Sequence, residues 1–213
     1  MIIHDDINGI ELELETGDYY FSRSGVDLGT RLMLQTVFGE DSRLQVSTDK
    51  VLDLGCGYGV VGVYLGKCYG GDHVTMTDIE ADAIELSKAN LERNGITGAR
   101  VQRSDGLRDI LDKDYSLILS NPPYHTDFSV AKEFIEDGYK ALRLGGMMVM
   151  VTKRRTWYEN KLKGVFGGVK VFEQGDYFVF VSEKRVRKAV NVEKGPGMSK
   201  KLARKMQARK HIK

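Results

Sequence analysis

The spacing of apolar positions changes along these 213 residues, and each change marks a different kind of element. From Ile2 to Phe21 the chain predicts short strands around a turn at Thr16-Gly17-Asp18. Leu28, Leu32, Leu34 and Val37 then recur at helical spacing, which predicts a helix over Leu28 to Phe38 stopped by Gly39. Residues 40–49 are polar and read as a connection.

From Lys50 onward short apolar runs alternate with amphipathic stretches. Strands are expected at Val51–Leu54, His73–Thr77, Ala99–Gln102, Tyr115–Leu119 and Met147–Val151. Helices are expected at Val60–Cys68, at Glu80–Arg93 ended by Asn94-Gly95, and at Val130–Leu142 stopped by Gly145-Gly146. Such alternation is the mark of a parallel sheet with crossover helices. The last two strands, Val169–Phe172 and Tyr177–Val181, are separated only by residues 173–176, too few for a crossover, so they must run antiparallel. The predicted fold is α/β and Rossmann-like: a mostly parallel seven-stranded sheet, a terminal antiparallel hairpin, and helices on both faces.

Composition narrows this picture. With 41% hydrophobic residues the chain can fill one core. No apolar run approaches the roughly 20 residues of a membrane helix, and the acidic start is unlike a secretory leader, so a cytoplasmic protein is expected. Two cysteines, Cys56 and Cys68, and four scattered histidines make neither a disulfide framework nor a metal-ligand set, so no metal is expected.

The net charge of +2 conceals an asymmetry. Lys184 to Lys213 holds twelve Lys or Arg and one acid, Glu193, whereas the remainder carries 20 basic and 29 acidic residues. Residues 1–183 are thus expected to be one domain and 184–213 a basic tail suited to a polyanion. Beyond the break at Lys194-Gly195-Pro196-Gly197, a basic helix would present Lys200, Lys201, Arg204 and Lys205. A merely solvated tail is the alternative.

The first strand runs into Asp53-Leu54-Gly55-Cys56-Gly57-Tyr58-Gly59. Glycines let the backbone turn tightly and let a ligand approach the main chain. The stretch also reads GxGxxG over Gly57 to Gly62, with Asp78 about twenty residues on, as a dinucleotide fold requires. Against that reading, Asp53 makes DxGxGxG, the pattern of S-adenosylmethionine loops, where an acid suits a cationic sulfonium and amine better than a pyrophosphate. Ser104-Asp105-Gly106 follows the third strand, where an acid can accept from an adenine amine. Asp78 and Asp105 as ordinary cap or turn acids, and Cys56 as a small residue tolerated by the loop, are the plainer alternatives.

Asn121-Pro122-Pro123-Tyr124 directly after a hydrophobic strand is the most specific signal. Two prolines fix two φ angles and remove two donors, so carbonyl acceptors and the Asn121 amide stand stiffly at the carboxyl edge of the sheet, where ligands of open α/β folds bind. The exocyclic amine of a base is a poor nucleophile because its lone pair is delocalised. Acceptors at Asn121 and the Pro122 carbonyl can hold its two hydrogens and aim the nitrogen, a matter of positioning rather than strong base catalysis. Tyr124 offers a ring for stacking on a base.

On these residues the chain resembles the small-domain class I methyltransferases, in particular the ribosomal-RNA guanine-N2 methyltransferases. The resemblance runs to about Lys184. It is carried by Phe21-Ser22-Arg23-Ser24-Gly25-Val26-Asp27-Leu28-Gly29-Thr30, by Val51 to Gly59, by Ser120 to His125, and by the tract from Trp157 to Phe180. It implies S-adenosylmethionine as cofactor, small-subunit ribosomal RNA as partner, and an N-terminal segment, within residues 1–49, that closes over the cofactor. Gly55, Gly57 and Asp78 are the cofactor residues the resemblance implies, and the full candidate set for the cofactor adds Phe21, Thr30, Asp53, Cys56, Gly59, Ile79, Ser104, Asp105, Gly106 and Asn121. The target amine would be gripped by Asn121, Pro122, Pro123 and Tyr124. Within these 213 residues the resemblance covers one domain, whereas some members carry a second, non-catalytic copy.

The NPPY motif also occurs in enzymes acting on adenine-N6, cytosine-N4 and protein glutamine, so on its own it says amine and not guanine. His125, and Lys153-Arg154-Arg155 with aromatic neighbours Trp157 and Tyr158, are candidate RNA contacts; a solvated helix start is the bland reading of the latter. A monomer is expected.

Overall fold

The structure, a computed structural model, describes residues 1–17, 25–123 and 128–186. Phe21, Arg23, Tyr124, His125, Lys200, Lys201, Arg204 and Lys205 lie outside the described residues.

A hairpin opens the chain: β1 (Ile2–Ile7) pairs antiparallel with β2 (Ile10–Glu15). Its turn is Asn8-Gly9, both at positive φ (55° and 77°), not Thr16-Gly17-Asp18. A type I′ two-residue turn needs left-handed backbone at both positions, which Asn and Gly tolerate best. Helix α1 (Leu28–Phe38) follows, capped by Asp27, whose carboxylate accepts from the Thr30 amide at 3.0 Å.

Then come β3 (Val51–Leu54), α2 (Val60–Tyr69), β4 (Val74–Asp78), α3 (Ala81–Arg93), β5 (Arg100–Arg103), β6 (Tyr115–Ser120), α4 (Phe128–Ala141), β7 (Leu142–Thr152), α5 (Arg155–Phe166), β8 (Lys170–Gln174) and β9 (Tyr177–Glu183). The seven-stranded sheet has the order β5-β4-β3-β6-β7-β9-β8, parallel as far as β7, with β9 antiparallel to both β7 and β8. The strand order reverses between β3 and β6, so the carboxyl ends of these two strands flank the crevice such folds use for ligands.

One boundary differs from the sequence expectation. Helix α4 ends at Ala141, and Leu142 already pairs with Tyr115, so Gly145-Gly146 lies inside a long β7 and does not stop the helix. Gly145 is at φ 78°, and the Lys184 amide donates to the Gly146 carbonyl, extending the sheet past Glu183. The folded unit therefore includes Lys184.

Two apolar clusters sandwich the sheet. Val51, Leu117, Val149 and Val179 face the β1–β2 hairpin, α1, α2 and α3, and Leu52, Ile118, Met148 and Phe180 face α4 and α5. Alternation along each strand sends successive side chains to opposite faces, so these strands read as continuous apolar runs. Buried Asn90 on α3 ties the layers together. Its amide donates to the Glu15 carbonyl (2.9 Å) and the Tyr58 carbonyl (2.7 Å), and its oxygen accepts from the Glu15 amide (2.6 Å).

Candidate active site

The loop after β3 turns on Gly55, Gly57 and Gly59, at φ 74°, 54° and 93°. A Cβ on Gly55 would press on the Phe134 ring at 3.3 Å. The loop's amides are spent internally: Gly55 and Cys56 donate to the Thr77 carbonyl, Gly59 to the Cys56 carbonyl, and Gly57 to the Asp78 carboxylate at 2.9 Å. Asp53, buried beneath the loop, accepts from the Gly62 amide at 2.9 Å. A pyrophosphate needs free amide donors at such a helix start, and here it would meet few of them beside a buried acid. The loop does not suit a dinucleotide.

Burial raises Asp53 to about 7, against the Gly62 hydrogen bond, which favours the charged form; the nearby Asp78 adds to the rise. A cation placed above the loop would restore the carboxylate. Burial also pushes the Cys56 thiol well above its ordinary value, so it is no thiolate nucleophile. Its sulfur sits 3.4 Å from the Ser87 hydroxyl.

Two adjoining cavities share Gly55, Gly57, Asn121 and Pro123 in their walls. The larger, about 420 Å³, is lined by Asp78, Ile79, Ser104, Asp105, Gly106, Val130 and Phe134 among others. That volume is in the range of small-molecule sites. Apolar Ile79, Val130 and Phe134 with acids at its ends suit a nucleoside. Ile79 is half exposed, unusual for an isoleucine without an apolar neighbour to cover it. Each Asp78 oxygen accepts one amide, from Gly57 or from Glu80, and retains a second lone pair for a hydroxyl donor. Asp105 pairs with Arg108, which also holds Glu133 at 3.0 Å.

The smaller recess, about 110 Å³, is lined by Asp27, Thr30, Asp53, Cys56, Tyr58, Pro122 and Pro123 among others. Asn121 forms its key wall. Its amide nitrogen donates to Asp27 Oδ2 and to Thr30 Oγ1, both at 2.9 Å. Its Oδ1 is buried and has no partner among the described residues. Buried polar atoms are nearly always paired, so an orphan acceptor at a cavity wall is a place for a donor from a ligand. Ser120 below it anchors β6 through a 2.7 Å bond to the Leu54 carbonyl.

The donors and walls fit S-adenosylmethionine: a slot with acids for its nucleoside, a glycine cradle open to close approach, and buried carboxylate charge for its cationic end. Of the residues expected from sequence, Thr30, Asp53, Gly55, Cys56, Gly57, Asp78, Ile79, Ser104, Asp105, Gly106, Asn121, Pro122 and Pro123 line the two cavities. Gly59 lies outside both linings; its positive φ, and Met76 and Ser87 3.0 Å from where a Cβ would stand, tie it to the turn instead. Lys153, Arg154 and Arg155 are exposed at the end of β7 and the start of α5, each cation above an aromatic ring: Tyr177 (4.7 Å), Phe128 (5.0 Å) and Phe178 (5.5 Å). Sequence reasoning missed Asp27, Phe134 and Val130. An Asp before an apolar helix start, three residues from Thr30, was a readable cap signal for the first; nothing in sequence marks the other two.

A Rossmann-like sheet with a reversed terminal hairpin, and a nucleoside-sized slot at its carboxyl edge, define an α/β domain of the nucleoside-binding class. The profile of the methyltransferase small domain matches residues 11–182, and the chain belongs to that family. Relatives include ribosomal RNA small subunit methyltransferase C of Serratia proteamaculans (37% identical; 79% of this chain, 47% of the relative) and of Shewanella amazonensis (34%; 85% and 54%). Among solved structures, the T. thermophilus 16S rRNA N2 methyltransferase (RsmC) in complex with AdoMet and guanosine superposes with a TM-score of 0.76. It is 26% identical, over 87% of this chain and 50% of that one. The L11 methylase of Lactobacillus delbrueckii, 20% identical over 74% of this chain and 79% of its own with a TM-score of 0.61, shares the fold. The chain spans about half the length of the curated relatives it matches.

Proposed function

We propose that the chain transfers a methyl group from S-adenosylmethionine to the exocyclic N2 amine of a guanine in small-subunit ribosomal RNA, in the cytoplasm. The observation that carries it is the buried Asn121 Oδ1, without a partner among the described residues, beside the glycine cradle. S-adenosylmethionine, which the Gly55–Gly57 turn, Asp78 and Asp105 would hold, would supply a sulfonium-activated methyl group and leave as the neutral thioether.

The protein's part is placement. Asn121 Oδ1, with the carbonyl of Pro122, accepts the amine's hydrogens and turns its lone pair toward the methyl. Both acceptors steady the positive charge that grows on nitrogen, and the surplus proton then leaves to water. Orientation of this kind is worth several kcal/mol without a general base. Guanine is favoured over adenine or a glutamine amide by relatives named as small-subunit rRNA methyltransferases and by a neighbour solved with guanosine. Lys153 and Arg154, exposed just past the end of β7, would meet phosphates, aided by residues 187–213.

The test is to incubate the protein with methyl-labelled S-adenosylmethionine and unmodified small-subunit RNA or particles, and to digest the product to nucleosides. N2-methylguanosine is the expected product. Label in N6-methyladenosine or in protein would overturn the assignment.

A further inference from the structure

We propose that Asp27, at the N-cap of α1, is the positioning residue that fixes the polarity of the Asn121 amide, so that the site accepts a hydrogen-bond donor and rejects a carbonyl or other acceptor. The inference rests on the methyl-transfer reading above for its consequence, but not for its geometry.

An asparagine side chain has nearly the same shape with its oxygen and nitrogen exchanged, so its orientation must be set by its neighbours. Here the Nδ2 hydrogens are both consumed, one by Asp27 Oδ2 and one by Thr30 Oγ1, at 2.9 Å each. Were the amide turned over, Asn121 Oδ1 would face the Asp27 carboxylate, acceptor against acceptor. Thr30 can reverse its own role, since a hydroxyl both donates and accepts, but a carboxylate cannot. The lock is therefore Asp27 and not Thr30.

Asp27 is itself held. The same Oδ2 accepts the Thr30 backbone amide at 3.0 Å, and the Tyr177 hydroxyl reaches Oδ1 from β9 at 3.4 Å. Gly29 permits this approach: a Cβ there would come within 2.9 Å of Asp27 Oδ2 and 2.7 Å of the Tyr177 ring. Two segments 94 residues apart in sequence thus meet at one hydrogen bond. The chain carboxylate, amide, target amine also runs in the direction that strengthens it: negative charge on Asp27 enriches Asn121 Oδ1 and steadies a nitrogen becoming cationic. The N-terminal segment, on this account, contributes to turnover as well as to covering the cofactor.

The decisive variant is Asp27→Ser. Serine is as good a helix cap as aspartate, yet too short to reach Asn121. Turnover on small-subunit RNA at saturating cofactor is expected to fall about 30-fold, with KM for RNA and Kd for S-adenosylmethionine within threefold of the parent. Thr30→Val, which leaves the carboxylate in place, should cost less than fivefold. Independently of activity, the side-chain amide of Asn121, followed by 15N NMR in the ligand-free protein, should show two slowly exchanging protons in the parent and one in Thr30→Val, where Asp27 still fixes the amide, whereas in Asp27→Ser the amide is free to turn over and both should exchange rapidly. Slow exchange in Asp27→Ser, or a loss of turnover that merely tracks lost cofactor affinity and a lowered Tm, would overturn the proposal. A parent protein that shows the protected amide but never methylates guanine would instead sink the function and leave the lock standing.

Discussion

The two halves of the cavity are built on opposite plans. On the glycine-loop side the Gly55, Cys56, Gly57 and Gly59 amides all have partners inside the protein, and the buried acid beneath has one too. On the Asn121 side a buried acceptor has none among the described residues. The first half holds its ligand by shape and charge and keeps its form without it; the second is completed by the molecule that comes and goes. Binding and turnover should therefore respond to different substitutions.

The sharpest break is at Asn121. Asn121→Ala is expected to lower turnover by about 10²–10³-fold, the usual cost of removing one preorganised polar contact to developing charge. S-adenosylmethionine affinity by calorimetry should change less than threefold. A parallel collapse of affinity would erase the distinction between the two halves.

Asp53 offers the next test. The folded protein holds this proton more tightly than the unfolded chain does, since burial lifts the group from 3.8 to about 7. Its contribution to stability is then fully present below about pH 4 and lost as pH rises to about 7, on the order of 4 kcal/mol. Asp53→Asn keeps an acceptor for Gly62 and should remove that slope. Urea midpoints of both proteins at pH 5 and pH 8 measure the difference, and an identical slope would place the titration elsewhere.

Gly55→Ala should weaken the cofactor about tenfold, because a side chain at φ 74° is strained by roughly 1–2 kcal/mol and presses on Phe134. Turnover at saturating cofactor should stay within a few-fold. The smallest effect belongs to the cations past β7. Lys153→Ala should reduce the salt dependence of RNA binding by about one phosphate contact, a slope change near 1 on logarithmic axes. Removing residues 187–213 should flatten it further. An unchanged slope in both would take these cations and the tail out of RNA recognition.

The parallel core was legible because its strands are buried on both faces and its helices are amphipathic, so apolar spacing alone places Val51–Leu54, Tyr115–Ser120 and α1 within a residue or two. The hairpin turn at Asn8-Gly9 went unread because Thr16-Gly17-Asp18, whose last residue lies outside the described residues, looks more like a turn in composition, whereas Asn-Gly answers the positive φ angles of a type I′ turn. Gly145-Gly146 misled for the converse reason: glycine stops a helix, but it also lets a strand kink where the Lys184 backbone bonds to both. In the site, residues carried by short motifs were readable. Phe134 and Asp27 act across long sequence separations, and no local pattern reveals what a helix face or a cap will touch.

Asn90 sets a limit on how this domain can be trimmed. The family match begins at residue 11, one residue inside β2. A protein cut there would lose β1 and bare the backbone edge of β2. Glu15 would then be loosened, and with it the side chain that grips the Tyr58 carbonyl. Ten residues that line neither cavity of the site would thereby bear on whether the glycine turn keeps its shape, and engineers seeking a minimal domain should leave them on.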